Sequence, residues 1–249
     1  MAEPIHDRVR AWWDEDAETY DRSAGHALSD PVERAAWRAA LLRSLPPPPA
    51  RVLDVGAGTG ALSLLAAELG YDVTALDLSD GMLAKARTKA DAAGLEVSFV
   101  VGPAEAPPPG PFDAVMERHV LWTVAEPVEA LAAWREQTSA GGRLVIFEGS
   151  WGGGGPFTAA KEAMERALRR ALGARVDHHH GPYPDDVVDR LPLRAVESPA
   201  PFVTAIHDAG WRRTRIARLR DVEWAIEQRE SWPLGALVHR PRYALIADA

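Results

Sequence analysis

The chain has 249 residues, 47% of them hydrophobic and 26% charged, which suits one large globular domain with a real core or a domain plus a small cap. A formal net charge of −8 argues against a nucleic-acid backbone as substrate, and the absence of cysteine excludes disulfides, thiolate metal sites and a cysteine nucleophile. No apolar stretch could span a bilayer and no apolar run follows a basic start, so a cytoplasmic protein with no membrane partner is expected.

Residues 4–19 place Val9, Trp12, Trp13 and Ala17 at roughly helical spacing among charges, which predicts a short amphipathic helix. A second helix is expected over 31–45, with Asp30 as its N-cap, Pro31 at its first position and the prolines of 46–49 as its stop. Residues 1–49 together read as an N-terminal helical lid, and 50–249 as the main domain. From residue 51 strands and helices alternate. Strands are predicted at 51–55, 72–77, 97–101, 112–117 and 143–148, and helices at 60–69, 80–93 and 126–138. Gly70, Gly94 and the Gly141-Gly142 pair fall where helices should end. This rhythm predicts an α/β fold built on a parallel sheet with helices on both faces.

Residues 150–201 break the rhythm. They carry a glycine run at 152–155, a helix near 157–172 and the stretch His178-His179-His180-Gly181-Pro182-Tyr183-Pro184, and they read as a cap overhanging a ligand crevice. A helix at 202–209 and strands near 213–219 and 243–247 complete the sheet. Arg212, Arg213, Arg215, Arg218 and Arg220 alternate with apolar residues there, the pattern of the solvent side of an edge strand.

The most specific stretch is Val52-Leu53-Asp54-Val55-Gly56-Ala57-Gly58-Thr59-Gly60, a strand that runs into alternating glycines and then a helical pattern. Such a turn lets backbone approach a nucleoside closely. The next strand ends in Asp77, where an acid can hold both hydroxyls of a ribose. The loop alone fits a dinucleotide too: Gly56, Gly58 and Ala61 match the relaxed fingerprint, and Asp77 lies 21 residues after Gly56. Three features favour S-adenosylmethionine. Asp54 beneath the loop would repel a pyrophosphate but attract a sulfonium and an ammonium, or else it only ties the loop down. Residues 1–49 precede the first strand, and the sheet ends in a hairpin instead of a second mononucleotide half. An NAD(P)-dependent oxidoreductase and a non-methylating S-adenosylmethionine-binding protein are the alternatives.

Residues 13–147 resemble the class I S-adenosylmethionine-dependent methyltransferases of the bacterial small-molecule type. The resemblance rests on Asp54-Val55-Gly56-Ala57-Gly58-Thr59-Gly60, on Asp77-Leu78-Ser79 with Met82, and on Gly102-Pro103-Ala104-Glu105. It continues through Phe112-Asp113-Ala114-Val115 with His119-Val120-Leu121-Trp122, then Gly141-Gly142-Arg143-Leu144, with Tyr20-Asp21 in a lid helix. It implies a Rossmann-like, seven-stranded, mostly parallel sheet with a cap insertion after strand five. It also implies methyl transfer to an O, N or C atom of a small-molecule acceptor by in-line displacement, leaving S-adenosylhomocysteine. Secondary metabolism is the pathway expected by analogy, and a monomer or homodimer the expected assembly. By the same resemblance, Gly56, Ala57, Gly58 and Gly60 meet the methionine part, Asp77 the ribose, and Leu78 and Met82 the adenine face. Ala104 and Glu105 meet the adenine edge, Glu105 replacing an acid that many members carry where this chain has Pro103. Arg118 and His119 sit beside the sulfonium, and Tyr20 belongs to the lid.

For chemistry, His119 is the first candidate for a general base and Glu117 the second, although in-line transfer by proximity and desolvation needs no base. Trp122, Trp151, His180 and Tyr183 are candidate walls of the acceptor pocket, with plain core packing the other reading for the tryptophans. The histidine run is read as a pocket rim or a solvated loop, and no metal site is expected because consecutive residues cannot all aim at one ion.

Overall fold

The computed structural model describes residues 5–149, 156–173, 183, 185–194, 196, 198–230, 232–237 and 240–249. Strands β1 (Arg51–Val55), β2 (Asp72–Asp77), β3 (Ser98–Val101), β4 (Phe112–Arg118), β5 (Thr138–Gly149), β6 (Arg212–Arg218) and β7 (Arg242–Asp248) form one sheet. Their order is β3-β2-β1-β4-β5-β7-β6. Neighbours pair in parallel from β3 to β5, and β7 runs antiparallel to both β5 and β6. This is the Rossmann-like, mostly parallel seven-stranded arrangement expected from the sequence.

Helices are α1 (Ile5–Asp16), α2 (Ala24–Ala27), α3 (Pro31–Ser44), α4 (Ala61–Glu68), α5 (Asp80–Ala93), α6 (Pro127–Glu136), α7 (Pro156–Ala171), α8 (Asp185–Val188), α9 (Ala200–Asp208), α10 (Arg220–Arg229) and α11 (Leu234–Leu237). Because successive side chains of a strand point to opposite faces, the central strands feed two cores. Val52, Met116, Val145 and Phe147 meet Trp37 and Leu41 of α3, Leu65 of α4 and Val222 of α10. Leu53, Val115, Leu144 and Ile146 meet Leu131 and Trp134 of α6 and Phe202 and Ile206 of α9. Strands β3 and β6 are the two edges, and β6 is the more exposed.

Three local expectations need correction. Helix α3 begins at its predicted cap, with Asp30 accepting from the Val32 and Glu33 amides at 2.9 and 2.8 Å, yet it is no part of a lid. Its Trp37 is buried edge-on against Phe147 at 5.4 Å, so the helix covers the sheet, and α1 is the helix that lies over the ligand side. The Gly141-Gly142 pair lies inside β5, because α6 has already ended at Glu136. Residues 220–229 are helical where no helix was foreseen. Leu219 precedes that helix without a side-chain cap, so no capping residue marks its start in the sequence.

Candidate active site

Strands β1, β2 and β4 all end at one edge of the sheet, the edge where open α/β sheets bind ligands. A cleft of about 830 Å³, counted with its open mouth, lies there. Of the predicted residues, Tyr20, Gly56, Gly58, Asp77, Leu78, Met82, Ala104, Glu105, Arg118 and His119 line it. Gly56 has φ +64°, and a Cβ there would stand 2.1 Å from Cγ2 of Val120. Glycine is therefore required at this position on both conformational and steric grounds. At Gly58 a Cβ would meet nothing within 4 Å, so the loop backbone borders open space.

Asp77 ties the end of β2 to this loop. Its Oδ2 accepts from the Gly58 amide at 2.7 Å and its Oδ1 from the Ser79 amide at 2.8 Å. Burial pushes its pKa up to about 6 despite these two amide donors. Asp54 sits beneath the loop as expected, and Ser63 Oγ donates to its Oδ2 at 2.5 Å. Burial raises its pKa to about 7, so near neutral pH it carries only part of the full charge assumed for a cation-attracting acid. Asp54 and Ala57 border a second, smaller space of about 310 Å³, shared with Tyr20, Gly56, Gly58 and Arg118. The Tyr20 ring stacks on His26 at 3.9 Å, and burial pushes its hydroxyl up to about 12, which keeps it a neutral donor.

Past β4 the chain turns sharply, and His119 adopts φ +63°. Non-glycine residues rarely enter that region, and those that do cluster at sites where structure over-determines them. His119 Nδ1 lies 3.0 Å from Glu148 Oε2 at the end of β5, and its Nε2 lies 3.0 Å from Arg242 Nη1 at the start of β7. Desolvation first, then the Arg242 and Arg118 charges, hold the imidazole pKa well below the usual histidine value. Arg118 donates to the Gly25 and His26 carbonyls at 3.4 and 3.3 Å and faces the Trp37 ring.

Glu117, the second candidate base, does not reach the cleft. It is fully buried, its Oε2 accepts from the Val120 amide at 2.7 Å, and burial together with the Glu148 charge drives its pKa well up. Its β4 position turns it under the loop, so it fastens the turn that carries His119.

Helix α1 closes the cleft with Ile5, His6, Val9 and Trp13. His6 Nε2 lies 3.2 Å from Glu105 Oε1, and Arg10 donates to the Leu78 carbonyl at 3.2 Å. Asp14 Oδ1 accepts from Ser79 Oγ at 2.5 Å and from the Gly81 amide at 3.2 Å. The following turn is pinned by Asp21, which accepts from Thr59 Oγ1 at 2.6 Å. On its other side α1 meets the cap: Trp12 stacks on Tyr183 at 4.3 Å, and Arg8 pairs with Asp186.

Other predicted residues lie elsewhere. Gly60 borders neither space; a Cβ added there would stand 2.9 Å from Cβ of Ala86. Trp122 and Tyr183 do not line the cleft either. They pack edge to face at 6.1 Å in a small cluster with Val9, Val187 and Leu191 that seats the cap on α1. Trp151 and His180, like the rest of the histidine run, lie outside the described residues. Among the described residues no three His, Asp or Glu side chains stand together as a metal site, and no helix is long and apolar enough to cross a membrane.

Sequence reasoning missed His6, Glu148 and Arg242. Glu148 carries the signal that revealed Asp77, an acid closing an apolar strand. Arg242 reaches this edge only because β7 runs antiparallel, which brings its first residue opposite Gly149.

The residues present fit an adenosine-bearing cation: a glycine loop open to the cleft, an acid at the end of β2, and apolar Leu78 and Met82 beside it. The sheet order, with β7 antiparallel, departs from the doubled parallel halves of a dinucleotide domain. A family model described as a methyltransferase domain matches residues 53–146. Demethylmenaquinone methyltransferase of Beutenbergia cavernae is 33% identical over 210 residues, spanning 83% of this chain and 83% of the relative. The enzyme of the same name from Renibacterium salmoninarum is 38% identical over 166 residues, or 65% of this chain and 68% of the relative. Geranyl diphosphate C-methyltransferase from Streptomyces coelicolor A3(2), solved with S-adenosylhomocysteine, shares the fold at a TM-score of 0.63 and 15% identity, covering 99% of this chain and 98% of that one. Kinship over most of the chain and a common architecture lead to one conclusion: the protein belongs to the class I S-adenosylmethionine-dependent methyltransferases that act on small molecules.

Proposed function

We propose that this enzyme methylates an O, N or C atom of a small, largely apolar acceptor by direct in-line displacement, in secondary metabolism. The observation that carries the acceptor class is the apolar part of the cleft lining, Ile5, Val9 and Trp13 of α1 with Val120, Val124 and Ala125 after β4. Such a lining rewards apolar contact and offers few partners to a polyanion. S-adenosylmethionine supplies an electrophilic methyl group on a sulfonium. The chain's own part is to hold and exclude. Asp77 and the loop of Gly56 and Gly58 would bind the ribose and methionine portions, with Leu78, Met82, Ala104 and Glu105 around the adenine. Arg118 would take the methionine carboxylate, since a guanidinium pairs with an anion and not with a sulfonium. Helix α1 keeps water away from the reacting atoms.

The test is calorimetry with S-adenosylhomocysteine beside NAD, followed by transfer from methyl-labelled S-adenosylmethionine to a panel of small acceptors. Demethylmenaquinone, named in two relatives, heads that panel. Binding of S-adenosylhomocysteine with label appearing in an acceptor is the expected result. Tight binding with label retained by the cofactor across the panel, alongside a different product, would overturn methyl transfer in favour of a non-methylating reaction.

A further inference from the structure

His119 borders the cleft, but both of its ring nitrogens are already engaged. A guanidinium can only donate, so the 3.0 Å contact from Arg242 Nη1 makes Nε2 the acceptor. The ring proton must then sit on Nδ1, where it faces the Glu148 carboxylate at 3.0 Å. We propose that Arg242 is a positioning residue of this active site: with Glu148 it fixes His119 as the Nδ1–H tautomer, occupies the Nε2 lone pair, and so makes the imidazole an oriented neutral wall instead of a general base. This goes beyond the methyl-transfer reading, and only its catalytic consequence rests on that reading.

The surroundings of the imidazole support the assignment. From β4 come Arg118 and Glu117, from β5 Glu148 and from β7 Arg242. Behind Arg242 stand Glu33 of α3 and Arg229 of α10, themselves paired at 2.6 Å. Burial and the neighbouring Glu148 charge drive Glu117 up, and Glu148 is the carboxyl group that faces the ring. Arg242 is held down to about 10 by burial and remains a cation at neutral pH. Its backbone is anchored as well: the Arg242 amide donates to Glu223 Oε1 at 2.8 Å, and its carbonyl accepts from the Leu219 amide at 2.8 Å. The φ of +63° at His119 is a conformation that the structure maintains at a cost, which fits a ring whose placement is specified.

Long-range proton–nitrogen NMR of the imidazoles, in the full chain saturated with S-adenosylhomocysteine, tests this directly. His119→Gln identifies the signal by its loss. The expected wild-type pattern is an Nδ1–H tautomer whose titration lies well below that of free histidine. Arg242→Gln should raise the proton affinity of His119 by about tenfold, while burial and the Arg118 charge still hold its titration below the ordinary histidine value. Arg242→Lys, which keeps a cationic donor, should stay close to wild type. An Nε2–H tautomer or an ordinary titration in the wild-type protein would overturn the assignment without any Arg242 variant, should those fail to fold. An unchanged His119 signal in a folded Arg242→Gln protein would overturn it too. Failure to bind S-adenosylhomocysteine would strike the cofactor assignment instead, and the tautomer of His119 could still be read in the ligand-free chain.

Discussion

Replacing Gly56 with alanine probes the junction between the glycine loop and the turn that carries His119. Two costs combine there. The left-handed backbone at φ +64° penalises a Cβ by about 1–2 kcal/mol. The new methyl would stand 2.1, 2.7 and 2.9 Å from Cγ2, Cγ1 and Cβ of Val120, and forcing a branched side chain aside in a packed site costs about 1–3 kcal/mol more. The sum, about 2–5 kcal/mol, corresponds to a loss of roughly 30-fold or more in S-adenosylhomocysteine affinity if the loop yields before the fold does. Val120→Ala removes both Cγ atoms and leaves only the Cβ contact. The Gly56→Ala/Val120→Ala double variant should therefore regain about 1 kcal/mol relative to additivity, while the backbone penalty persists. Titration calorimetry on the wild type, both single variants and the double variant closes the cycle. Affinity of Gly56→Ala within twofold of wild type, or strict additivity of the two changes, would refute the argument that Val120 and the loop share this space.

Asp77→Asn should weaken S-adenosylhomocysteine binding and also lower the melting temperature. Both Asp77 oxygens accept from backbone amides, so an Asn NH₂ must oppose one donor with another, at about 1–3 kcal/mol; an unaltered melt would contradict this. Asp54, whose folded pKa of about 7 lies above its ordinary 3.8, binds its proton more tightly in the folded state. Its contribution to stability is full below about pH 4 and is lost as pH rises through about 7, so Asp54→Asn, which keeps an acceptor for Ser63, should flatten the stability profile over that window. Urea melts of the two proteins that stay parallel across those pH values would count against it. Asp30→Ala should cost about 1 kcal/mol of global stability, because the Asp30 carboxylate caps α3 through the Val32 and Glu33 amides; an unaltered urea midpoint would count against it.

The lining of the cleft was legible in the sequence because its determinants are local. A glycine loop after a strand, an acid at the end of the next strand and apolar residues just beyond are all read from neighbours in the chain, and Gly56, Asp77, Leu78 and Met82 meet in one cleft. The sheet was legible for a similar reason: strands buried on both faces announce themselves as apolar runs. The chemistry at His119 was not legible. Its character depends on Glu148 and Arg242, whose approach is decided by sheet order and by the reversal of β7. The acceptor wall was misjudged for a related reason. Trp122 and Tyr183 carry the aromatic signature of a binding pocket, but their rings are spent on holding the cap to α1. Aromatic content shows that something is packed and does not say against what.

Helix α1 is held on two sides at once. Arg10 and Asp14 hold it to the end of β2 and the start of α5, while Arg8 and Trp12 hold it to Asp186 and Tyr183 of the cap. It therefore cannot swing off the nucleoside without dragging on the cap's footing. Any displacement of α1 loads both attachments, and the cleft and the cap are mechanically joined through one helix.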